Sequence, residues 1–181
     1  MDRVLVVCTA NLVRSPVAEA ALKAWAQRAE RPDVEFSSAG VAAVEGRPVP
    51  APLVQAIRPF FLNLYPHRSR RVTRELVREA TLVLAMTEAQ REALQALLPS
   101  ATSRVFTLCE FARLTSAVPP VSSANGGWAA LVGAAHRERP RRPSPEAPED
   151  VADPYGGSVK QYQACIKEIV GLVDQITARL S

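Results

Sequence analysis

The sequence predicts an α/β fold, a three-layer α/β/α arrangement around a four-stranded parallel sheet. Three observations predict it. Four short runs are almost wholly apolar and rich in β-branched residues: RVLVV (3–7), VEFS (34–37), LVLAM (82–86) and RVFTL (104–108). Such continuous runs are the mark of strands buried on both faces. Stretches of helical periodicity lie between and after them, and strands alternating with helices imply right-handed βαβ crossovers. Finally, Thr87-Glu88-Ala89-Gln90 and Ser158-Val159-Lys160-Gln161 have the spacing of a capping box, which places two helix starts.

Taken in order, the first strand closes at Cys8, and a short loop leads into a helix. Pro16 suits a first helical position because its missing N–H is not needed there, which makes Ser15 the expected N-cap. Ala18, Ala21, Leu22 and Trp25 then fall on one face. After the third strand, the Thr87 box opens a helix to about Leu97. The rhythm breaks between about 112 and 150, a Pro-, Ser- and Arg-rich insertion containing HRERPRRP (136–143). A connection of that length is unusual in a compact domain, and a short helix is expected within it over 127–139. The final helix follows Ser158, with Tyr162, Cys165, Ile166, Ile169, Val173, Ile176 and Leu180 on one face.

Length and composition narrow the function. A chain of 181 residues fits one domain with ample length to bury a core. The net charge of +4 suits an anionic substrate, yet no aromatic-interleaved basic run of the kind that grips nucleic acid is present. No apolar run approaches the roughly 20 residues of a membrane span, and the N-terminus, with its short apolar core and Arg14 soon after, is not expected to be a signal peptide. Three cysteines without tight spacing argue against a disulfide framework and for a reducing compartment, so a cytoplasmic protein is expected. No Cys/His cluster has metal-site spacing, and no metal or organic cofactor is expected.

The chemistry concentrates at residues 8–16. A strand running into a loop and then a helix N-terminus is a ready anion site, because loop amides and the helix dipole point at one spot. Residues 9–14, with Thr9, Ala10, Asn11, Leu12 and Val13, would form the cradle. Arg14 would add a two-pronged guanidinium fork suited to phosphate. The same field favours thiolate, the nucleophilic form of cysteine, so Cys8 is the candidate nucleophile.

This pattern resembles the low-molecular-weight protein tyrosine phosphatases, whose loop reads Cys-x-Gly-Asn-x-Cys-Arg-Ser-Pro. SSAG (37–40), LVLAMT (82–87), RVFTL and DPYGGS (153–158) follow in family order. The resemblance implies strand order 2-1-3-4, a phosphate-binding loop after the first strand, and hydrolysis of a phosphorylated protein through a cysteinyl phosphate. By position, Cys8 is nucleophile and Arg14 phosphate clamp. Ser15 would hydrogen-bond the Cys8 sulfur, and Asn11 would hold the loop in shape, braced by Ser38 and His67. Two positions depart from the pattern. Ala10 replaces the family glycine and would be strained if that position needs positive φ. Val13 replaces the second loop cysteine, which removes the usual partner for reversible protection of an oxidised Cys8.

Expelling a phenolate requires a general acid, and Asp153 in DPY matches the family's acid loop. Tyr155 would pack on the substrate ring. The chain also resembles the bacterial protein arginine phosphatases, in which threonine follows the loop asparagine. Leu12 stands there instead and would leave guanidinium N–H groups unpaired, which favours phosphotyrosine. Arsenate reductases of the same fold relay a disulfide through two further cysteines. Cys165 reads as core, Cys109 has no nearby partner, and no relay is expected. The arginines at 137, 139, 141 and 142 read as a solvated loop. A competing reading of another class is a phosphate-binding module that has lost turnover. Oligomeric state is left open.

Overall fold

The computed structural model describes residues 1–122, 126–141 and 149–180. Four parallel strands, β1 (Asp2–Cys8), β2 (Val34–Gly40), β3 (Leu82–Ala85) and β4 (Val105–Thr107), form one sheet in the order β2-β1-β3-β4. This is the order the resemblance implied. Alternation along β1 explains its continuous apolar run. Val4 and Val6 face a core shared with helices α1 (Arg14–Arg28), α5 (Leu108–Ser116) and α7 (Val159–Thr177), while Leu5 and Val7 face α3 (Arg74–Glu79) and α4 (Glu88–Leu97). The result is the expected three-layer α/β/α arrangement.

The α7 stripe behaves as its periodicity predicts. Ile166, Ile169, Val173 and Ile176 are fully buried, each stabilising the fold by roughly 1.5–3 kcal/mol. Ser158 and Gln161 make the reciprocal capping box that starts this helix. Two other helix starts differ from expectation. Thr87 accepts from Gln90 N, but the Gln90 side chain does not return to the cap; it reaches the Cys8 loop instead. The helix after that loop begins at Arg14, its N-cap is Val13, and no side chain caps it. Ser15 therefore lies inside the first turn, where its hydroxyl is drawn to the Cys8 sulfur.

Beyond about 112, α5 continues to Ser116, and α6 (Gly127–Glu138) forms where a short helix was expected. Residues 123–125 and 142–148, and with them Arg142, lie outside the described residues. α6 packs at the end of β1 remote from Cys8: Trp128 N donates to Asp2 Oδ2 (3.1 Å), and the Trp128 ring meets Trp25 and Phe36 edge-on. Arg139 is not a solvated loop arginine. Its guanidinium stacks 3.8 Å from the Phe106 ring centre and pairs with the buried Glu110 carboxylate. Burial alone would raise the Glu110 pKa, but Arg139 and Arg91 hold it below the usual carboxylate range. Among the described residues, no helix is long and apolar enough to cross a membrane.

Candidate active site

β1 delivers Cys8 to the carboxyl edge of the sheet, where the chain must leave the strand and enter α1 within five residues. Asn11 makes that turn possible. Its φ of 55° is left-handed, a conformation that asparagine tolerates better than most residues. Ala10 does not take positive φ, so the strain expected from replacing a glycine there does not arise. The turn also fixes the loop interior. Asn11 N donates to Cys8 Sγ (3.3 Å), and Ser15 Oγ lies 3.0 Å from the same sulfur. Both approach the sulfur as groups able to donate to a thiolate.

Asn11 is the hub of this interior. Its Nδ2 donates to Ser15 Oγ (3.0 Å) and Ser38 Oγ (2.9 Å), its Oδ1 accepts from Arg70 N (2.9 Å), and His67 Nε2 lies 2.8 Å from its carbonyl oxygen. Ser38 in turn donates to Glu19 Oε2 (2.6 Å). Ser38 and His67 thus both contact the loop. Asn11 was expected among the residues of the phosphate cradle; its side chain and that of Ser15 are wholly buried, and neither residue lines the cleft.

His67 is half-buried, and a carbonyl acceptor requires its Nε2 to carry the proton. Burial pushes its pKa below the ordinary value, against the opposing pull of the Asn11 carbonyl and Glu19. The unfolded chain therefore binds the proton more readily. The stabilising contribution is complete above the unfolded pKa of about 6.5 and is lost as pH falls through the lower folded value. Melting temperatures of wild type and His67→Gln between pH 7 and about 5.5 check this. The wild-type value is expected to fall more steeply, and equal slopes would reject it.

The loop opens onto a cleft of about 360 Å³ lined by Cys8, Thr9, Ala10, Leu12, Val13 and Arg14, with Asp153 and Tyr155 opposite. Among the described residues, the amides of Ala10, Leu12 and Val13 meet no acceptor. Arg14 is buried; its Nη1 donates to Val151 O (3.0 Å) and its Nη2 to Asp153 Oδ2 (2.5 Å), while Nε is buried without a partner. Donors without acceptors, converging beside a sulfur, suit an oxyanion with several oxygens. Asp153 is partly exposed at the mouth, and its Oδ1 accepts from Tyr155 N (3.1 Å), so one turn places both residues.

Sequence reasoning missed several contributors. Gln90, buried at the start of α4, accepts from Met86 N and donates to Thr9 Oγ1 (3.0 Å), tying the loop to β3. Gly40, paired with Cys8 in the β1–β2 register, lies against the loop backbone. Val44 and Arg47, in the connection after β2, complete the cleft wall. A glutamine in place of the capping-box glutamate and a glycine closing SSAG were visible signals, but neither discloses its partner. Cys109 and Cys165 stay apart from this chemistry. Burial, with Glu168 nearby, pushes them up to about 11 and about 12 respectively, so both are neutral thiols at pH 7.

Comparison with known proteins agrees with this geometry. Residues 3–118 match the family model described as low molecular weight phosphotyrosine protein phosphatase. The chain is 30% identical over 178 residues to a protein-arginine-phosphatase of Geobacillus stearothermophilus, covering 98% of this chain and 95% of that one. It is 38% identical over 107 residues to a probable low molecular weight protein-tyrosine-phosphatase of Ralstonia solanacearum, covering 59% of this chain and 70% of that one. Among solved structures, the low molecular weight protein tyrosine phosphatase from T. tengcongensis superposes with a TM-score of 0.76 at 29% identity, covering 99% of this chain and all of that one.

Proposed function

Because the chain belongs to the low molecular weight phosphotyrosine protein phosphatase family, we propose that it hydrolyses phosphotyrosine in proteins through a phosphocysteine at Cys8. One observation carries the reading: the Cys8 sulfur, the unpartnered loop amides and the buried Arg14 guanidinium face one cleft, with a carboxyl group at its mouth. In the first step the Cys8 thiolate attacks phosphorus, the P–O bond to the phenol breaks, and Asp153 gives the leaving oxygen its proton. As the phosphate enters, the guanidinium exchanges Asp153 for phosphate oxygens, which releases the carboxyl group to carry that proton. In the second step Asp153 takes a proton from water, the water oxygen attacks phosphorus, and the S–P bond breaks. Ser15, 3.0 Å from the sulfur, then stabilises the departing thiolate. No metal or cofactor enters these steps. The three free thiols fit a reducing, cytoplasmic setting.

The cleft walls support an aryl substrate. Leu12, Ala42, Val44 and Tyr155 offer apolar contact, and Arg47 adds a cation at the rim. Among the described residues, Asp153 is the only carboxylate in the lining, so a guanidinium group would find few acceptors. A second reading, phosphoarginine, is favoured by the near full-length match to an arginine phosphatase. Comparing phosphotyrosyl and phosphoarginyl peptides decides between them: kcat/KM is expected to favour phosphotyrosine by about 10-fold or more, and the reverse preference selects the second reading. Asp153→Asn should lower kcat on a phosphotyrosyl peptide by about 10²–10³-fold, with a much smaller loss for an aryl phosphate whose leaving group is acidic. Phosphate binding without turnover by wild type would instead identify a binding module.

A further inference from the structure

We propose that the groove beside the cleft, built from residues 48–68, holds the substrate polypeptide next to its phosphorylated residue and selects apolar and acidic side chains there. The proposal rests on the phosphatase reading and names the substrate class of the same site. Arg47 lines the cleft, and its chain neighbours Pro48 and Val49 line a groove of about 340 Å³. A chain anchored by phosphate on the Cys8 loop therefore passes directly from one to the other.

The groove is apolar inside and cationic at its rim. Ile57 and Leu64 are buried at its base, and Val49, Val54 and Leu62 contribute its sides. Val54 is 46% exposed and Tyr65 89% exposed, while Phe61, next in the chain to Leu62, is 94% exposed. Apolar exposure concentrated in one place beside a reactive cleft is typical of a recognition surface. Among the described residues, the charged members of the lining are Arg58 and Arg68, with no carboxylate beside them. Among the described residues neither Arg58 nor Arg68 forms an ion pair, and Arg68 donates to the carbonyls of Tyr65 and His67. With Arg47 they make three cations along one path. That charge complements carboxylates, and the apolar base between them takes a hydrophobic side chain.

The test separates this proposal from the reading beneath it. Short phosphotyrosyl peptides with acidic-apolar, basic or Gly/Ser flanks are titrated by fluorescence anisotropy against the non-turning Cys8→Ser protein. The acidic-apolar peptide is expected to bind about 10-fold tighter than the Gly/Ser peptide at low ionic strength. Arg58→Glu and Tyr65→Ser, each added to that protein, should reduce the advantage to about 3-fold or less. The same two substitutions in the otherwise native chain should leave kcat/KM for a free aryl phosphate within about 2-fold, since that substrate does not reach the groove. Equal affinity for all three flanks, or equal loss of peptide binding and aryl phosphate turnover, overturns the proposal. So does concentration-dependent dimerisation that Tyr65→Ser abolishes, which would give the groove to a second copy. Failure of wild type to hydrolyse an aryl phosphate refutes the phosphatase reading alone, because flank preference is read from binding.

Discussion

Cys8→Ser is expected to lower turnover of an aryl phosphate by about 10⁴-fold or more while inorganic phosphate still binds. The reason lies in the loop. The groups around the sulfur, Asn11 N and Ser15 Oγ, are arranged to support an ionised thiol. A serine hydroxyl has a proton far harder to remove at neutral pH, and the cleft carboxylate, Asp153, is engaged as the acid for the leaving group; among the described residues, no histidine lines the cleft, and His67 faces the Asn11 carbonyl behind the loop. Phosphate affinity should survive because it belongs to the amides and to Arg14. Rapid acid quench of wild type with labelled substrate should trap phosphate on Cys8, and the label should be absent from Cys8→Ala. Activity above about 1% of wild type in Cys8→Ser would place the nucleophile elsewhere.

Gly40→Ala is the second large effect, and nothing at that position touches substrate. A methyl group there would lie 2.5 Å from Thr9 O, 2.8 Å from Asn11 N and 3.0 Å from Ala10 C. All three are backbone atoms, so no side chain can swing aside. Retreat of the strand is also resisted, because Gly40 N donates to Arg70 O and Gly40 O accepts from Val72 N. The loop must move instead, and a misplacement of about 1 Å in a cradle for a transferring group costs on the order of 10²-fold in rate. A fall in kcat/KM of about 10²–10³-fold is therefore expected, with phosphate affinity falling alongside. Far-UV circular dichroism should remain that of the wild type, because the sheet core is untouched. A variant within about 3-fold of wild type would show that the loop has slack the geometry denies.

Much of the fold was legible because its signals are local. A strand buried on both faces must be apolar throughout, as LVLAM and RVLVV are. An exposed helix must show a stripe, as α7 does, and a reciprocal cap such as Ser158 and Gln161 is written within four residues. Errors arose where a local rule met a stronger distant partner. Ser15 has the identity of an N-cap, but its hydroxyl serves the Cys8 sulfur. Gln90 has the position of a capping-box residue, but its amide crosses to Thr9. Arg139 sits in a run that reads as solvated, yet Glu110 and Phe106 supply a paired, stacked site for it.

The same division runs through the candidate site. Cys8, Arg14 and the helix start lie within one loop, so the spacing of the proposed nucleophile, the proposed clamp and the dipole is a property of nine consecutive residues. That Asp153, 139 positions beyond Arg14, reaches its guanidinium could be suspected only from the resemblance of DPY to the family's acid loop. That Gly40 must lack a side chain and that Arg47 completes the wall could not be read at all. Sequence by itself determined what depends on bonded neighbours and on periodic burial. Tertiary structure decided what depends on contact between chain segments far apart, because steric exclusion and buried hydrogen bonding act over a few ångströms of space, whatever the separation along the chain.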